Sequence, residues 1–485
     1  MSSAKEPVTR RFGNGLTVLI KEDKSHPVVS LQYWVGTGSM NEGHWQGSGL
    51  SHLLEHLVFK GTAHFSGQEL ARKVQERGGH WNAYTSVNRT VYYIDGPAES
   101  WQIFLNLLTE LVFFPTFPED EMEREKEVVR REMAMYADDP DSVAYQLLMQ
   151  TLYLKHPCRW PVLGERAAFD CLTRQDVLDY HASRYVPNNV VLSIAGDVDA
   201  AEILSHLELL VEDLKSRPLN REPIPHEPHQ FGSRRVRKEF AVPYSKLHLA
   251  WRLPCSAHPD TPALSALSSI LGGGRSARFY EKFHDRLGLV YSIEVHSNQS
   301  ETDEGAFTIS MDVDRAQRDK VRDMVLQELR NLAEEDFTED LKRVCKQTRV
   351  SRLRRRSSAS GVASEMGADW FGSRNLNLSS EWQEAIERVT TEDLHRVCST
   401  WLSSPNVTEV SLDPPGSNAG DEERASASAG TALSEHVLGN GMKVVIREDH
   451  RLPLAYACMA FKAGCRAENE HDAGVTDLML SLIHI

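Results

Sequence analysis

Two histidines and one glutamate stand within five residues of each other, in the order His52-Leu53-Leu54-Glu55-His56. On an α-helix, residues four apart lie on the same face one turn apart, which lets two imidazoles bind a single ion. Glu55 would project beside both histidines, close enough to take a proton from a metal-bound water. The order His-x-x-Glu-His reverses the His-Glu-x-x-His pattern that is usual in zinc enzymes. A five-residue pattern arises by chance often enough that by itself it only suggests a metal site.

A second helix offers carboxylates that could complete such a site. A catalytic zinc ion with an open coordination position needs a third protein ligand. In residues 119–136, EDEMEREKEVVRREMAMY, Glu125 and Glu132 fall two helical turns apart on an otherwise apolar face. Buried carboxylates are costly unless they are paired or bind a metal. The alternative is a charged surface helix whose buried face is wrongly assigned, and the histidine motif favours the metal site.

The elements that must hold these residues alternate between strands and helices. Residues 1–215 are predicted to form a first αβ domain that opens with a hairpin at residues 12–23. Residues 216–235, rich in Pro, Arg and Glu, are interpreted as a connection, and residues 236–412 as a second αβ domain. This order of elements favours an α+β fold with mixed, largely antiparallel sheets packed against helices.

Near its C-terminus the chain repeats part of its N-terminal sequence. Residues 413–432 contain almost no large apolar side chains, which is typical of a flexible linker. After this linker, LGNGMKVVIRED (438–449) repeats FGNGLTVLIKED (12–23). An internal repeat indicates a duplicated domain. Residues 433–479 are therefore interpreted as the truncated start of a degenerate repeat, and residues 480–485, LSLIHI, as a sequencing artefact.

Charge and composition argue against several kinds of partner. The 485 residues carry a net charge of −15, which opposes binding to nucleic acid and to anionic membranes. No run of about 18 apolar residues is present, so no membrane span is expected. The 7 cysteines form no Cys-x-x-Cys pair, which argues against a cysteine metal site. The N-terminus as written has no apolar signal segment, so we expect a cytoplasmic protein, or a periplasmic one if the start codon is misplaced.

Taken together, these patterns resemble the pitrilysin/insulinase family of zinc peptidases, the inverzincins. The likeness covers nearly the whole chain and is carried by GLSHLLEHLVFKGT (49–62), GGHWNAYTSVNRTVYYIDGP (78–97), EREKEVVRRE (123–132) and ILGGGRSARFYEKFHDRLGLVYSI (270–293). The resemblance implies two homologous αβ domains that form one half of a clamshell, followed by the start of a repeated half.

The resemblance also implies a role for each side chain of the two motifs. His52, His56 and Glu132 would bind zinc, one ion per chain, and Glu55 would activate the attacking water. Glu125 would support the zinc ligands from behind without binding the ion itself.

The substrate strand implied by the resemblance contains Asn82, Ala83 and Tyr84. An edge strand beside the metal can hold an extended peptide by backbone pairing, without demanding a fixed sequence. From its residue type alone, Asn82 is better explained as a turn or strand-end asparagine, and only the resemblance favours a substrate-binding role. The implied activity is that of a zinc endopeptidase acting on peptides or unfolded polypeptides.

Two positions depart from the family pattern. In the family, an Arg and a Tyr from the opposing half complete the active site, whereas here His284 stands at the Arg position that precedes Tyr291. Asp477 stands where the repeat would carry its first metal-binding histidine. We therefore expect a missing second half, or a second copy of the chain, to close the catalytic chamber.

Two other hypotheses remain open. A catalytically inactive homologue, structural or chaperone-like, would share the fold, but the complete set of candidate ligands favours an enzyme. A peptide-binding module that uses only the edge strand would need no metal, so a zinc measurement separates it from an enzyme. The glycines at 272–274 do not indicate a nucleotide-binding loop, because no Lys-Ser/Thr pair follows them.

Overall fold

The computed structural model describes residues 6–219, 223–298, 305–403, 405–416, 434–446 and 459. The chain divides into two compact units, Met1–Ala419 and Gly420–Ile485.

The strands lie in two sheets of the first unit and one hairpin of the second. They are β1 (Val8–Arg11), β2 (Thr17–Glu22), β3 (Val28–Val35), β4 (His80–Thr85), β5 (Thr90–Pro97), β6 (Val190–Gly196), β7 (Arg234–Glu239), β8 (Ser245–Leu253), β9 (Val290–Asn298), β10 (Gly305–Val313), β11 (Thr408–Asp413), β12 (Ser434–Val437) and β13 (Lys443–Ile446).

The α-helices described by the structure all belong to the first unit. They are α1 (Leu50–Val58), α2 (Gly67–Gln75), α3 (Trp101–Phe113), α4 (Glu119–Asp138), α5 (Pro140–Leu152), α6 (Arg166–Asp170), α7 (Arg174–Arg184), α8 (Ala200–Leu210), α9 (Thr261–Gly272), α10 (Arg318–Asn331), α11 (Thr338–Arg355), α12 (Ala359–Ser373), α13 (Leu378–Glu387) and α14 (Thr391–Val397).

Both large sheets are mixed and largely antiparallel. The first has the order β1-β2-β6-β3-β5-β4, with β2 and β6 parallel. The second has the order β7-β11-β8-β10-β9, with β7 and β11 parallel. Two such sheets with flanking helices confirm the predicted α+β fold class. In the first sheet β4 lies at an edge, so no strand of the described part of the chain pairs with the outer side of its backbone.

Helix α1 is fixed on the first sheet by its leucines. Leu53, Leu54 and Leu57 are fully buried in the core that α1 and α3 form with this sheet. Burying one such side chain stabilises the fold by about 1.5–3 kcal/mol. Just before the helix, Gly49 has φ 72°, and a Cβ there would overlap the carbonyl group of Leu163. The apolar face of α1 therefore packs in the core, and its polar face points away from the core.

The opposite face of the first sheet is covered by a helix from far along the chain. Ala363 and Met366 of α12 pack against Trp34 of β3. The hydroxyl of Ser193 on β6 donates to the carbonyl oxygen of Ala363 at 2.7 Å. Gly367 leaves room for the indole of Trp34, since a Cβ at this position would overlap that ring. Tertiary packing thus adds α12, from the second sequence block, to the first sheet.

A helix of the first sequence block covers the second sheet in return. Leu148 and Leu152 of α5 pack against Ala250 of β8. At the start of α5, the carboxylate of Asp141 lies 2.6 Å from the ammonium of Lys246 on β8. The predicted boundaries between domains stay predictions, but this exchange of helices shows that the two blocks do not pack independently.

The described part of the second unit is a hairpin of β12 and β13. In this hairpin, as in that of β1 and β2, the first residue of one strand lies opposite the fourth residue of the other. The turn glycines Gly15 and Gly441 have φ values of 90° and 84°. Asn14 and Asn440 each accept, through Oδ1, the N–H two residues later at 3.1 Å. The repeated sequence thus builds the same turn twice.

The remaining predictions for this end of the chain fall outside the described residues. This holds for the predicted linker apart from 413–416, for the repeat apart from 434–446 and 459, and for residues 480–485. Across the helices that the structure describes, none combines the length and the apolar character needed to cross a bilayer.

Candidate active site

Helix α1 carries three of the predicted residues away from its buried leucines. His52, Glu55 and His56 are all partly buried. The imidazole rings of the two histidines lie 4.7 Å apart, measured between ring centroids. Since the two histidines are one helical turn apart, both rings reach toward the same side of α1.

Helix α4 packs beside α1 and brings Glu132 to the two histidines. Its Oε2 lies 3.7 Å from Nε2 of His52 and 3.9 Å from Nε2 of His56. One possible ligand atom from each of these residues lies within 4.8 Å of the other two, and no other such group of three was found among the described residues. Ligands about 2.0–2.2 Å from a tetrahedral zinc ion lie roughly 3.3–3.6 Å apart. The three donors therefore fit one zinc ion with little movement.

His56 is held from behind by Glu125 and Lys60. Oε2 of Glu125 lies 3.1 Å from Nδ1 of His56, and its Oε1 lies 2.5 Å from Nζ of Lys60. Burial raises the pKa of Glu125, but the hydrogen bonds from His56 and Lys60 outweigh this effect and leave the pKa lowered. An ionised carboxylate can only accept, so Nδ1 of His56 donates, and Nε2 presents its lone pair toward Glu132.

The two histidines have opposite electrostatic surroundings. Burial, together with a smaller effect of the neighbouring His56, lowers the pKa of His52 to about 4. Burial also disfavours the charged form of His56, but its hydrogen bond to Glu125 and the charges of the surrounding carboxylates leave its pKa raised. The site therefore offers one neutral imidazole and a second position where negative charge already favours a cation.

Glu55 lies beside these donors and is bonded to the end of β4. The hydroxyl of Thr85 donates to Oε2 of Glu55 at 2.5 Å. Burial raises the pKa of Glu55, and the hydrogen bond from Thr85 and the charge of His56 act against this rise. A carboxylate with a raised pKa accepts a proton more readily, which is the property required of a general base.

The structure places the predicted substrate residues on β4, at the sheet edge. Ala83 packs against the core, whereas Asn82 and Tyr84 are exposed. The ring of Tyr84 stands edge-on to Trp34, with the centroids 6.5 Å apart, so it lies on the α12 side of the sheet. The N–H of Ala83 donates to Oδ1 of Asn82 at 2.9 Å. At its outer edge, β4 therefore offers mainly backbone groups, and the side chains of Asn82 and Tyr84 contribute less.

Three supporting residues were not predicted from the sequence: Glu42, Lys60 and Thr85. Glu42 is fully buried, accepts the N–H of Ser51 in the first turn of α1 at 2.8 Å, and has its pKa raised to about 8 by burial. Two features of the sequence could have pointed to these residues. Lys60 follows His56 by about one helical turn, and Thr85 shares a strand face with Ala83. The partners of Lys60 and Thr85 are distant in the sequence, so only the fold reveals these two contacts.

Two protein-family models match consecutive segments of the chain. The family model described as Insulinase (Peptidase family M16) matches residues 17–166, and the model described as Peptidase M16 inactive domain matches residues 172–347. A relative in Mycobacterium bovis named uncharacterized zinc protease is 30% identical over 299 residues, which are 60% of this chain and 67% of that relative. The chain belongs to the insulinase family, peptidase family M16.

Other M16 relatives match a larger part of the chain. A Rickettsia felis protein named uncharacterized zinc protease is 27% identical over 406 residues, 81% of this chain and 94% of that one. The crystal structure of a protease from Helicobacter pylori superposes with a TM-score of 0.77 at 26% identity, covering 84% of this chain and 100% of the other. The candidate site residues on α1 and α4 lie within the segment matched by the M16 insulinase model, outside the segment matched by the model described as inactive.

Proposed function

We propose that this M16 member is a zinc-dependent endopeptidase that hydrolyses peptides or unfolded polypeptides. The observation that carries the proposal is the convergence of His52, His56 and Glu132, from two helices, around a single point with Glu55 beside it. These three residues would hold one zinc ion per chain. When bound, zinc would polarise the peptide carbonyl and make a water molecule more acidic.

The side chains around that point have distinct tasks in this proposal. His52 is neutral, because burial lowers its pKa to about 4, and it can offer a lone pair without first losing a proton. Glu125 keeps the proton of His56 on Nδ1 and so leaves Nε2 free to bind the metal. Glu55 would accept a proton from the attacking water as the C–O bond forms. It would then deliver this proton to the leaving nitrogen as the C–N bond breaks.

Substrate would bind as an added strand along β4. The backbone of Asn82, Ala83 and Tyr84 lies at the free edge of the first sheet, next to the strand residue that bonds Glu55. Pairing through the backbone requires an extended segment but no particular sequence, which favours peptides and unfolded chains over folded proteins. An incoming peptide that uses the N–H of Ala83 must first displace Oδ1 of Asn82.

We further propose that a second half or a second copy completes the active site. The family resemblance places a tyrosine and an arginine there, but Tyr291 packs against Tyr244 and His284 stacks on Tyr280 within the second sheet region. The Helicobacter pylori chain is matched along its entire length, which supports a second copy, whereas the hairpin repeated after residue 432 supports a second half. If a second copy completes the site, hydrolysis per chain should rise with protein concentration, in step with dimer formation measured by light scattering.

The experiment that tests the function compares the protein with its Glu55→Gln variant on a quenched-fluorescent, unstructured peptide. The amide cannot act as a base, so we expect kcat to fall about 10²–10⁴-fold while the zinc content stays at one ion per chain. Glu123→Gln, an exposed change of the same charge on α4, serves as the control. Undiminished turnover in Glu55→Gln contradicts the assignment. A protein that binds zinc but cleaves no peptide at any concentration points to the inactive homologue.

A further inference from the structure

Thr85, at the end of the edge strand β4, forms a hydrogen bond with the proposed base. Its hydroxyl donates to Oε2 of Glu55 at 2.5 Å. The position of Thr85 is set by the backbone, because it pairs with Thr90 of β5 and the hairpin closes just beyond it, where the N–H of Ser86 bonds the carbonyl oxygen of Arg89 at 2.8 Å. The hydroxyl is therefore presented to Glu55 from a rigid sheet.

Side-chain alternation along β4 explains why Thr85 faces α1. The residues at 81, 83 and 85 are partly buried, and those between them are exposed. The ring of Trp81 packs edge-on against Phe59, just after α1, with the centroids 4.9 Å apart. Thr85 lies on the same face of the strand, four residues after Trp81. This position brings its hydroxyl to the polar side of α1.

A glutamate side chain on a helix needs such a contact if its carboxylate is to keep one orientation. Its three side-chain torsions allow many positions. The carboxylate of Glu55 is also attracted electrostatically by His56 and repelled by Glu132. A hydroxyl hydrogen bond is directional and occupies one oxygen, Oε2. In the proposed reaction, the second oxygen would exchange a proton with water and the leaving nitrogen.

We propose that Thr85 is a positioning residue, which holds the carboxylate of Glu55 in the orientation needed for proton transfer. This inference rests on the proposed function. In this proposal β4 has two roles. Its edge would align the peptide, and Thr85 at its end would align the carboxylate of Glu55.

The kinetic test uses three variants that separate the hydroxyl from the shape of the side chain. Thr85→Val keeps the branched shape without a donor, and we expect kcat to fall about tenfold with KM and zinc content unchanged, since a bond to a charged group is lost. Thr85→Ser keeps the donor and should restore kcat to within about threefold of the parent. Thr90→Val is the matched control, because Thr90 pairs with Thr85 but its hydroxyl donates to the carbonyl oxygen of Thr37 at 3.1 Å.

Three kinetic results would overturn the proposal. One is an unchanged kcat in Thr85→Val. Another is a Thr85→Ser variant as slow as Thr85→Val, which would show that the methyl group matters and the hydroxyl does not. The third is an equal loss of kcat in Thr90→Val, which would indicate a general weakening of the hairpin.

A thermal measurement tests the contact even if the protein proves not to be a peptidase. Thr85→Val should lower the melting temperature when Glu55 is present and should have no effect in a Glu55→Ala background, because the bond is then already absent. Additive shifts in this double-mutant cycle would show that Thr85 does not hold Glu55. Coupled shifts without any Glu55-dependent hydrolysis would instead reject the proposed function and leave the contact itself established.

Discussion

Replacing Glu125 by glutamine removes the charge behind His56 while keeping the size of the side chain. In the structure one oxygen accepts from Nδ1 of His56 at 3.1 Å and the other lies 2.5 Å from the ammonium of Lys60. A hydrogen bond to a charged group contributes about 1.5–3 kcal/mol, compared with about 0.5–1.5 kcal/mol for a neutral pair. The loss of about 1–1.5 kcal/mol corresponds to a roughly tenfold higher Kd for zinc.

The cation left behind on Lys60 adds to this loss. Without the carboxylate, the ammonium group is unpaired close to a site that must bind a second cation. We therefore expect the Kd for zinc to rise by about 10–100-fold in Glu125→Gln, with all three proposed ligands still present. If this repulsion contributes, the double variant Glu125→Gln/Lys60→Met should bind zinc more tightly than Glu125→Gln alone.

The assay is a competition titration of the metal-free protein against a chromogenic zinc chelator at neutral pH. Glu123→Gln is the control, since it makes the same change of charge at an exposed position of the same helix. An unchanged Kd in Glu125→Gln would refute the supporting role. A rise of equal size in the control would show that the long-range charge of α4 matters, and that the contact with His56 does not.

Two further predictions concern the framework that holds the site. Burial raises the pKa of Glu42 from 4.5 to about 8, so its stabilising protonated form is fully present below about pH 4.5 and is lost as the pH rises through about 8. The melting temperature of the parent should consequently fall between about pH 5 and pH 9, and Glu42→Gln should show a flatter profile; parallel profiles would contradict the assignment. Gly367→Ala should lower the melting temperature, because overpacking against Trp34 costs about 1–3 kcal/mol, whereas Gly13→Ala, where a Cβ meets nothing within 4 Å, should be nearly neutral. Equal melting temperatures for the two alanine variants would show that α12 moves away from the sheet without cost.

The elements around the site could be predicted because their signals are local. The leucines of α1 recur at helical spacing, and the Asn14-Gly15 pair specifies a tight turn wherever its strands later pack. The repeat after residue 432 was visible for the same reason, and its described hairpin forms the same turn. The third donor was harder to choose, since Glu125 and Glu132 share a helical face, and the residues alone left both open. In the structure Glu132 meets the Nε2 atoms of both histidines, whereas Glu125 meets Nδ1 of His56.

The sequence by itself determined the fold class, the donor types and the helical spacing of His52 and His56, since each of these follows from residues a few positions apart. Tertiary structure alone decided which groups meet across the chain. It brought α4 beside α1, carried α12 to the far side of the first sheet, and placed Thr85 against Glu55. The physical reason is that such contacts depend on how apolar faces distant in sequence pack together. A hydrogen bond across 30 residues between Glu55 and Thr85 has no periodicity that a sequence pattern could reveal.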